Sequence, residues 1–125
     1  MDLNLVVLAG TLAAEPELRE FESGARLLRL LITVRTHEPR RRVDVLPVTL
    51  WDPPPELIAE DLERGRRVSV HGATQRRFWE ATEGRRSRVE IVAEQVTVHP
   101  PADAPENEIG IRRDPFGVSH ITPSL

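Results

Sequence analysis

The residues best equipped for chemistry lie between Arg66 and Trp79, where the chain ends a polar and valine-rich run with Arg76-Arg77-Phe78-Trp79. Two guanidinium groups there precede two of the chain's five aromatic rings, which comprise three Phe and two Trp. A ring stacks on a nucleobase at ~1–3 kcal/mol, and a guanidinium group meets a phosphate through paired hydrogen bonds. Fixed positive charge beside rings therefore suits a flexible chain of phosphates carrying exposed bases. The competing reading is that Phe78 and Trp79 close a small core. These four residues alone favour neither.

Other candidates of the same kind are Arg29, Arg35 and the run Arg40-Arg41-Arg42. Arg29 and Arg35 fall on one face of an alternating apolar segment, where they either contact phosphate or form a solvated strand face. Glu38 and Asp44 flank the Arg40–Arg42 run and temper its charge. Chemistry of other kinds finds no footing. The acids of residues 56–63 have no His or Cys partner nearby, and His37, His71, His99 and His120 are scattered without ligand spacing. No phosphate-cradling glycine loop or nucleophile motif occurs. The expectation is a binding protein, not an enzyme, without metal or cofactor.

Composition narrows the class further. With 125 residues, 39% of them hydrophobic, the chain suffices for one domain with a modest core and a tail. It has no Cys, which excludes disulfides and thiolate metal sites. No run approaches the roughly 20 apolar residues of a membrane span, and no charged-then-apolar leader is evident. A reducing cytosol is the expected compartment. All 17 basic residues are Arg; a coding bias toward Arg, Ala and Pro explains most of that and also the absence of Tyr. The net charge of −3 disfavours a uniformly basic surface, so distribution matters. Residues 1–99 hold 15 Arg against 16 acids, and eight of those acids lie in the segments 15–22 and 56–63. With those segments set aside, 14 Arg face 8 acids, which allows a segregated basic face.

The elements that must position these residues are mostly strands. Leu3 to Ala13 reads as a first strand with Gly10 at a possible bend, continued briefly by Glu17 to Phe21. Glu22-Ser23-Gly24 is turn chemistry. Leu28, Leu30, Ile32 and Val34 then alternate with Arg29, Leu31, Thr33 and Arg35 in a second strand. A compact loop, 37–42, leads to a third strand over Val43 to Trp51. In it Leu46, Val48 and Leu50 share one face, and Val45, Pro47, Thr49 and Trp51 the other. Pro47 cannot donate to a ladder, so the strand is locally an edge or bulged.

After Asp52-Pro53-Pro54-Pro55, the segment Glu56 to Arg64 reads as a helix with Leu57, Ile58 and Leu62 as its apolar stripe. The strand leading to Trp79 follows, with Gly72 at a bulge or bend. Glu83-Gly84 marks a turn, and Arg88 to Val98 forms the last strand with Val89, Ile91 and Ala93 on one side. Pro100-Pro101 ends the domain, and residues 100–125 are expected to be a disordered tail. Three strands, a short helix and two more strands point to a mainly all-β fold. The expected form is a five-stranded OB-fold barrel with its helix between strands three and four. A four-stranded sheet with one helix is the competitor.

Over roughly residues 4–98 the chain resembles the bacterial single-stranded-DNA-binding proteins. The likeness is carried by Asn4-Leu5-Val6-Val7-Leu8-Ala9-Gly10 and by Glu15-Pro16-Glu17-Leu18-Arg19, similar to the family's opening strand and its "DPELR" turn. Ser23-Gly24 resembles the hairpin before strand two, residues 57–65 the helix ending in "LxKG", and residues 68–72 the "VxVEG" strand. Arg77-Phe78-Trp79 resembles "RKW", and residues 90–96 the closing "EIVADNV".

The resemblance implies a non-enzymatic protein that coats single-stranded DNA, usually as a homotetramer, with bases stacked on aromatic rings. Carried over, it makes Trp79 one stacking ring and Trp51 a second, at a position where the family has a stacking Phe. Val45 and His37-Glu38-Pro39 stand where the other two rings usually are, so two of four platforms are absent. The loop between strands two and three is shorter than is usual. The family's tail ends in an acidic tip closing on Pro-Phe; here Asp114-Pro115-Phe116 is internal, follows Arg112-Arg113, and the chain ends at Leu125. An OB-fold module for protein assembly, with vestigial DNA affinity, is the alternative expectation.

Overall fold

The computed structural model describes residues 1–101 and, beyond them, two short paired strands, β7 (Arg112–Arg113) and β8 (Ser119–His120). The disordered tail expected over 100–125 thus lies almost wholly outside the described residues. Five long strands and one short one build the domain: β1 (Val6–Leu12), β2 (Glu17–Glu20), β3 (Arg26–Thr36), β4 (Arg42–Trp51), β5 (Arg67–Ala81) and β6 (Gly84–Val98). The helix α1 (Pro55–Ala59) lies between β4 and β5.

Pairing runs β1–β5–β6–β4–β3, and a further β1–β3 ladder closes the ring into a five-stranded barrel. All contacts are antiparallel except β4 with β6, which are parallel at Val48↔Ile91 and Thr49↔Val92. β2 adds to the outer edge of β3 through Glu17↔Arg29 to Glu20↔Arg26. This is the OB-fold arrangement that the strand order implied, and it excludes the open four-stranded sheet.

Alternation explains why these strands curl into a barrel with one apolar interior. Leu28, Leu30 and Ile32 of β3, Val48 and Leu50 of β4, and Val68 and Val70 of β5 are buried, joined by Leu12, Leu57 and Ala93. Most of the alternate residues stay outside, the period-2 pattern of a sheet with one buried face, with Leu27, Thr33 and Ser69 as buried exceptions. Two glycines permit the closure. A Cβ at Gly10 would run into the Thr33 carbonyl, where β1 leaves β5 to bond β3; one at Gly72 would run into the Val92 carbonyl. The ladder between β5 and β6 slips one residue between His71 and Gly72, the bulge expected there. Pro47 is likewise accommodated as an edge: β4 bonds β3 along its whole length but β6 only at Val48 and Thr49.

Three elements differ from their sequence-based bounds by three residues or more. The helix spans Pro55–Ala59 instead of 56–64, and Glu60 turns extended at ψ 137°. A helix this short has no intrinsic stability, so its anchors decide its length. Leu57 is sunk in the core, and the Gly65 amide must reach the Leu12 carbonyl at 2.8 Å, which draws residues 60–65 off the helical path. The first strand starts at Val6 rather than Leu3. Ahead of it the Asn4 side chain takes over the pairing, donating to the Thr74 carbonyl (2.7 Å) and accepting from the Thr74 amide (2.9 Å). The last strand begins at Gly84, four residues early. Gly84 (φ 118°) follows a two-residue turn and pairs with Ala81, so β5 and β6 zip into a long ribbon beyond the barrel. Val89 sits on that ribbon and is exposed, although it shares the side of Ile91 and Ala93 in sequence.

Candidate nucleic-acid interface

The ribbon resolves the question posed by Phe78 and Trp79. Both rings stand outside the core, 52% and 38% exposed, so neither closes it. Neighbouring residues of a strand point to opposite faces, and the two rings therefore serve different sides. Trp79 pairs across the ribbon with Arg86, and Arg77 with Arg88, on one face. The guanidinium carbons of Arg77 and Arg88 lie 6.0 and 5.6 Å from the Trp79 ring centroid, within cation–π range. Phe78 belongs to the opposite face with Arg76 and Arg85, and Arg85 packs over its ring at 4.7 Å. Arg76 donates to Ser87 Oγ at 3.1 Å.

Register carries the Trp79 face onto the barrel. Ala73 is level with Val92, Val92 with Thr49, and Thr49 with Arg29, so these side chains share one outer surface. By alternation the same surface bears Gln75, Arg77 and Trp79 of β5 and Arg86, Arg88 and Glu90 of β6. From β4 it takes Val43, Val45, Pro47 and Trp51, and from β3 Arg29, Leu31, Thr33 and Arg35. Trp51 lies two residues past the Thr49↔Val92 contact, while Arg86, opposite Trp79, lies six residues before it. The two tryptophans thus bracket about eight strand residues, roughly 25 Å.

Trp51 is held firmly at its end. It pairs with Leu27, and its ring lies 5.7 Å from that of Phe21. The next residue, Asp52, adopts a left-handed φ of 49°, donates its amide to the Arg26 carbonyl (2.8 Å) and accepts from the Arg26 amide at Oδ1 (3.2 Å). Asp tolerates that conformation better than most residues, and the bend leaves the indole 48% exposed.

The remaining arginines differ in availability. Arg29 is half-buried opposite Glu17, in a shallow depression with Leu18 and Arg19. Arg35 leans toward β1, donating to Thr11 Oγ1 at 3.4 Å. Arg40 and Arg41 are exposed in the loop between β3 and β4. Arg42 is tied to Asp44 by Nε hydrogen bonds of 3.1 and 3.0 Å, and that hydrogen bond and the carboxylate's charge raise its pKa further. The three neighbours therefore do not form one uniform cationic spike.

Of the sequence candidates, the fold brings Trp51, Trp79, Arg29, Arg35 and Arg77 to one surface; Arg76 and Phe78 fall behind it, and Arg40 to Arg42 lie at its loop end. Sequence reasoning passed over Arg85, Arg86, Arg88 and Glu90. The turn residues are Thr82 and Glu83, so that Ala81 meets Gly84 and Trp79 meets Arg86; counting outward from the expected Glu83-Gly84 turn pairs Trp79 with Arg88 instead.

Comparison with known proteins places the fold in a family. The Single-strand binding protein family matches residues 3–99. The chain belongs to that family. Among its relatives is Single-stranded DNA-binding protein 3 of Listeria innocua, 33% identical over 99 residues that cover 75% of this chain but only 62% of that one. The Single-stranded DNA-binding protein of Caldanaerobacter subterraneus is 30% identical over 90% of this chain and 82% of its own. In three dimensions the chain is similar to the Plasmodium falciparum SSB solved in complex with ssDNA. The TM-score is 0.67 at 21% identity, over 80% of this chain and 97% of that one, a likeness of fold. Among the described residues no helix is long and apolar enough to cross a membrane.

Proposed function

We propose that this member of the family binds and protects single-stranded DNA without sequence preference and without catalysis. Bases stack on Trp79 and Trp51, and arginines of the same face meet the phosphates. The observation that carries this reading is the common sheet surface, with an exposed tryptophan at each end and Arg29, Arg35, Arg77, Arg86 and Arg88 along it. A basic track with stacking platforms is the general design for holding single strands whatever their sequence. Arg76 and Phe78 reach a strand only where it passes behind the ribbon, and Arg40, Arg41 and Arg42 contact it from the loop.

Residues 1–99 carry this activity as one domain, and residues 100–125 form an appended tail. The setting is DNA replication, recombination or repair in a bacterial cytoplasm at the nucleoid, with the chain acting as a homo-oligomer, a tetramer as is usual in the family or a dimer. Titration with oligothymidylate, following the tryptophans, tests the binding reading. A second reading, protein assembly, is favoured by one feature: Leu31, Val43 and Val45 expose 43%, 63% and 51% of their surface on that face. Titration and sedimentation together distinguish the two: if the chains associate and oligothymidylate leaves the tryptophans unquenched even at low salt, that face is a subunit contact and not a DNA track.

A further inference from the structure

An acid stands in the middle of the basic face. Glu90 pairs with Gln75 across the ribbon, and its side chain is only 18% exposed. Its Oε1 accepts from Arg77 Nη1 at 3.4 Å and from Arg88 Nε at 3.3 Å. These are the two guanidinium groups that flank Trp79. Arg77 and Arg88 lie directly opposite one another, and like charges so placed repel. One carboxylate oxygen between them relieves that repulsion and cancels half of their charge.

We propose that Glu90 is an internal stand-in for a DNA phosphate, competing for Arg77 and Arg88 and so setting the affinity and salt response of the Trp79 platform. The inference rests on the single-stranded-DNA reading of this face. A phosphate offers the same oxygen geometry with more acceptors, so an incoming strand exchanges one anion for another at this point. Glu90 contacts the arginines and not the bases; it is a positioning residue whose charge matters.

The test compares wild-type protein with Glu90→Gln and Glu90→Asp, using a ~35-nucleotide oligothymidylate and a polyphosphate chain that has no bases. Glu90→Gln should bind both probes roughly two- to five-fold more tightly at low salt, the scale of one exposed ion pair. Its plot of log affinity against log salt should steepen by about 0.7, one more phosphate neutralised. Glu90→Asp keeps the charge and should retain the wild-type slope, which separates charge from mere side-chain shape. Unchanged or weaker binding by Glu90→Gln, with an unchanged slope, overturns the proposal. If wild-type protein ignores oligothymidylate altogether, the functional reading fails instead, and the polyphosphate arm still decides the role of Glu90.

Discussion

At the scale of single residues the molecule sorts its aromatic and basic side chains by strand parity. Trp79 and Phe78 are neighbours in sequence but back opposite faces of the β5–β6 ribbon, each with its own arginines. Trp79→Ala should therefore lose ~1–3 kcal/mol of single-strand affinity, and Trp51→Ala a similar amount. Phe78→Ala should cost clearly less with short oligonucleotides, which occupy one face only. Equilibrium titration of the three variants checks this ranking, and equal losses for Phe78 and Trp79 would contradict the two-faced ribbon. The residue types were legible in advance: Trp beside Arg is a pattern readable from the letters, whereas the exposure of the ring is a finding of the structure. Which side each residue takes was not, because it depends on the register fixed at Ala81↔Gly84. The partners Arg86 and Arg88, and the bridging Glu90, follow from the same register.

At the scale of elements the barrel depends on close backbone crossings more than on propensity. Gly72→Ala places a methyl group against the Val92 backbone carbonyl, which cannot swing away as a side chain would. Overpacking of this kind costs ~1–3 kcal/mol, and thermal denaturation should show it as a lowered Tm. An unchanged Tm would mean that the bulge relaxes without loss.

The barrel's lower end also holds a titrating contact. Ser69 Oγ and His99 Nε2 are 2.8 Å apart, and the His99 carbonyl accepts from Arg66 Nε at 2.7 Å. Partial burial, aided by the charge of Arg67, lowers the His99 pKa below its ordinary 6.5. The unfolded chain therefore binds this proton more readily than the folded one. The His99 contribution is fully present above pH 6.5 and is lost as pH falls from there toward the lowered folded value. His99→Gln should flatten the decline in stability between neutral and mildly acidic pH, measured by denaturant unfolding; an identical decline would remove His99 as its source. Bulge, edge proline and strand order were readable because glycine, proline and alternation act locally. The helix end was not, since the Gly65–Leu12 hydrogen bond that truncates it spans distant parts of the chain.

At the scale of the whole molecule, a chain of net charge −3 presents its arginines selectively. Acids gather on residues 15–22 and 56–63, which flank a groove between α1 and the β1–β2 connection, while the Trp-bearing face carries Arg29, Arg35, Arg77, Arg86 and Arg88 with Glu90 among them and Glu17 at its β2 edge. Overall charge thus says little about what this face attracts. The OB barrel was legible from strand order and motif spacing together, and the family match covers residues 3–99. The joining of both tryptophans on one surface was not legible, because the parallel β4–β6 contact that sets it involves only two residue pairs far apart in sequence.

The central claim, a single-stranded-DNA track running between Trp79 and Trp51, is tested most directly by tryptophan fluorescence during titration with a ~35-nucleotide oligothymidylate at low and high salt. The account predicts quenching that saturates at a defined number of nucleotides per chain, with affinity falling as salt rises by about 0.7 log units per log unit for each phosphate engaged. An unquenched signal at low salt, or binding indifferent to salt, would contradict it.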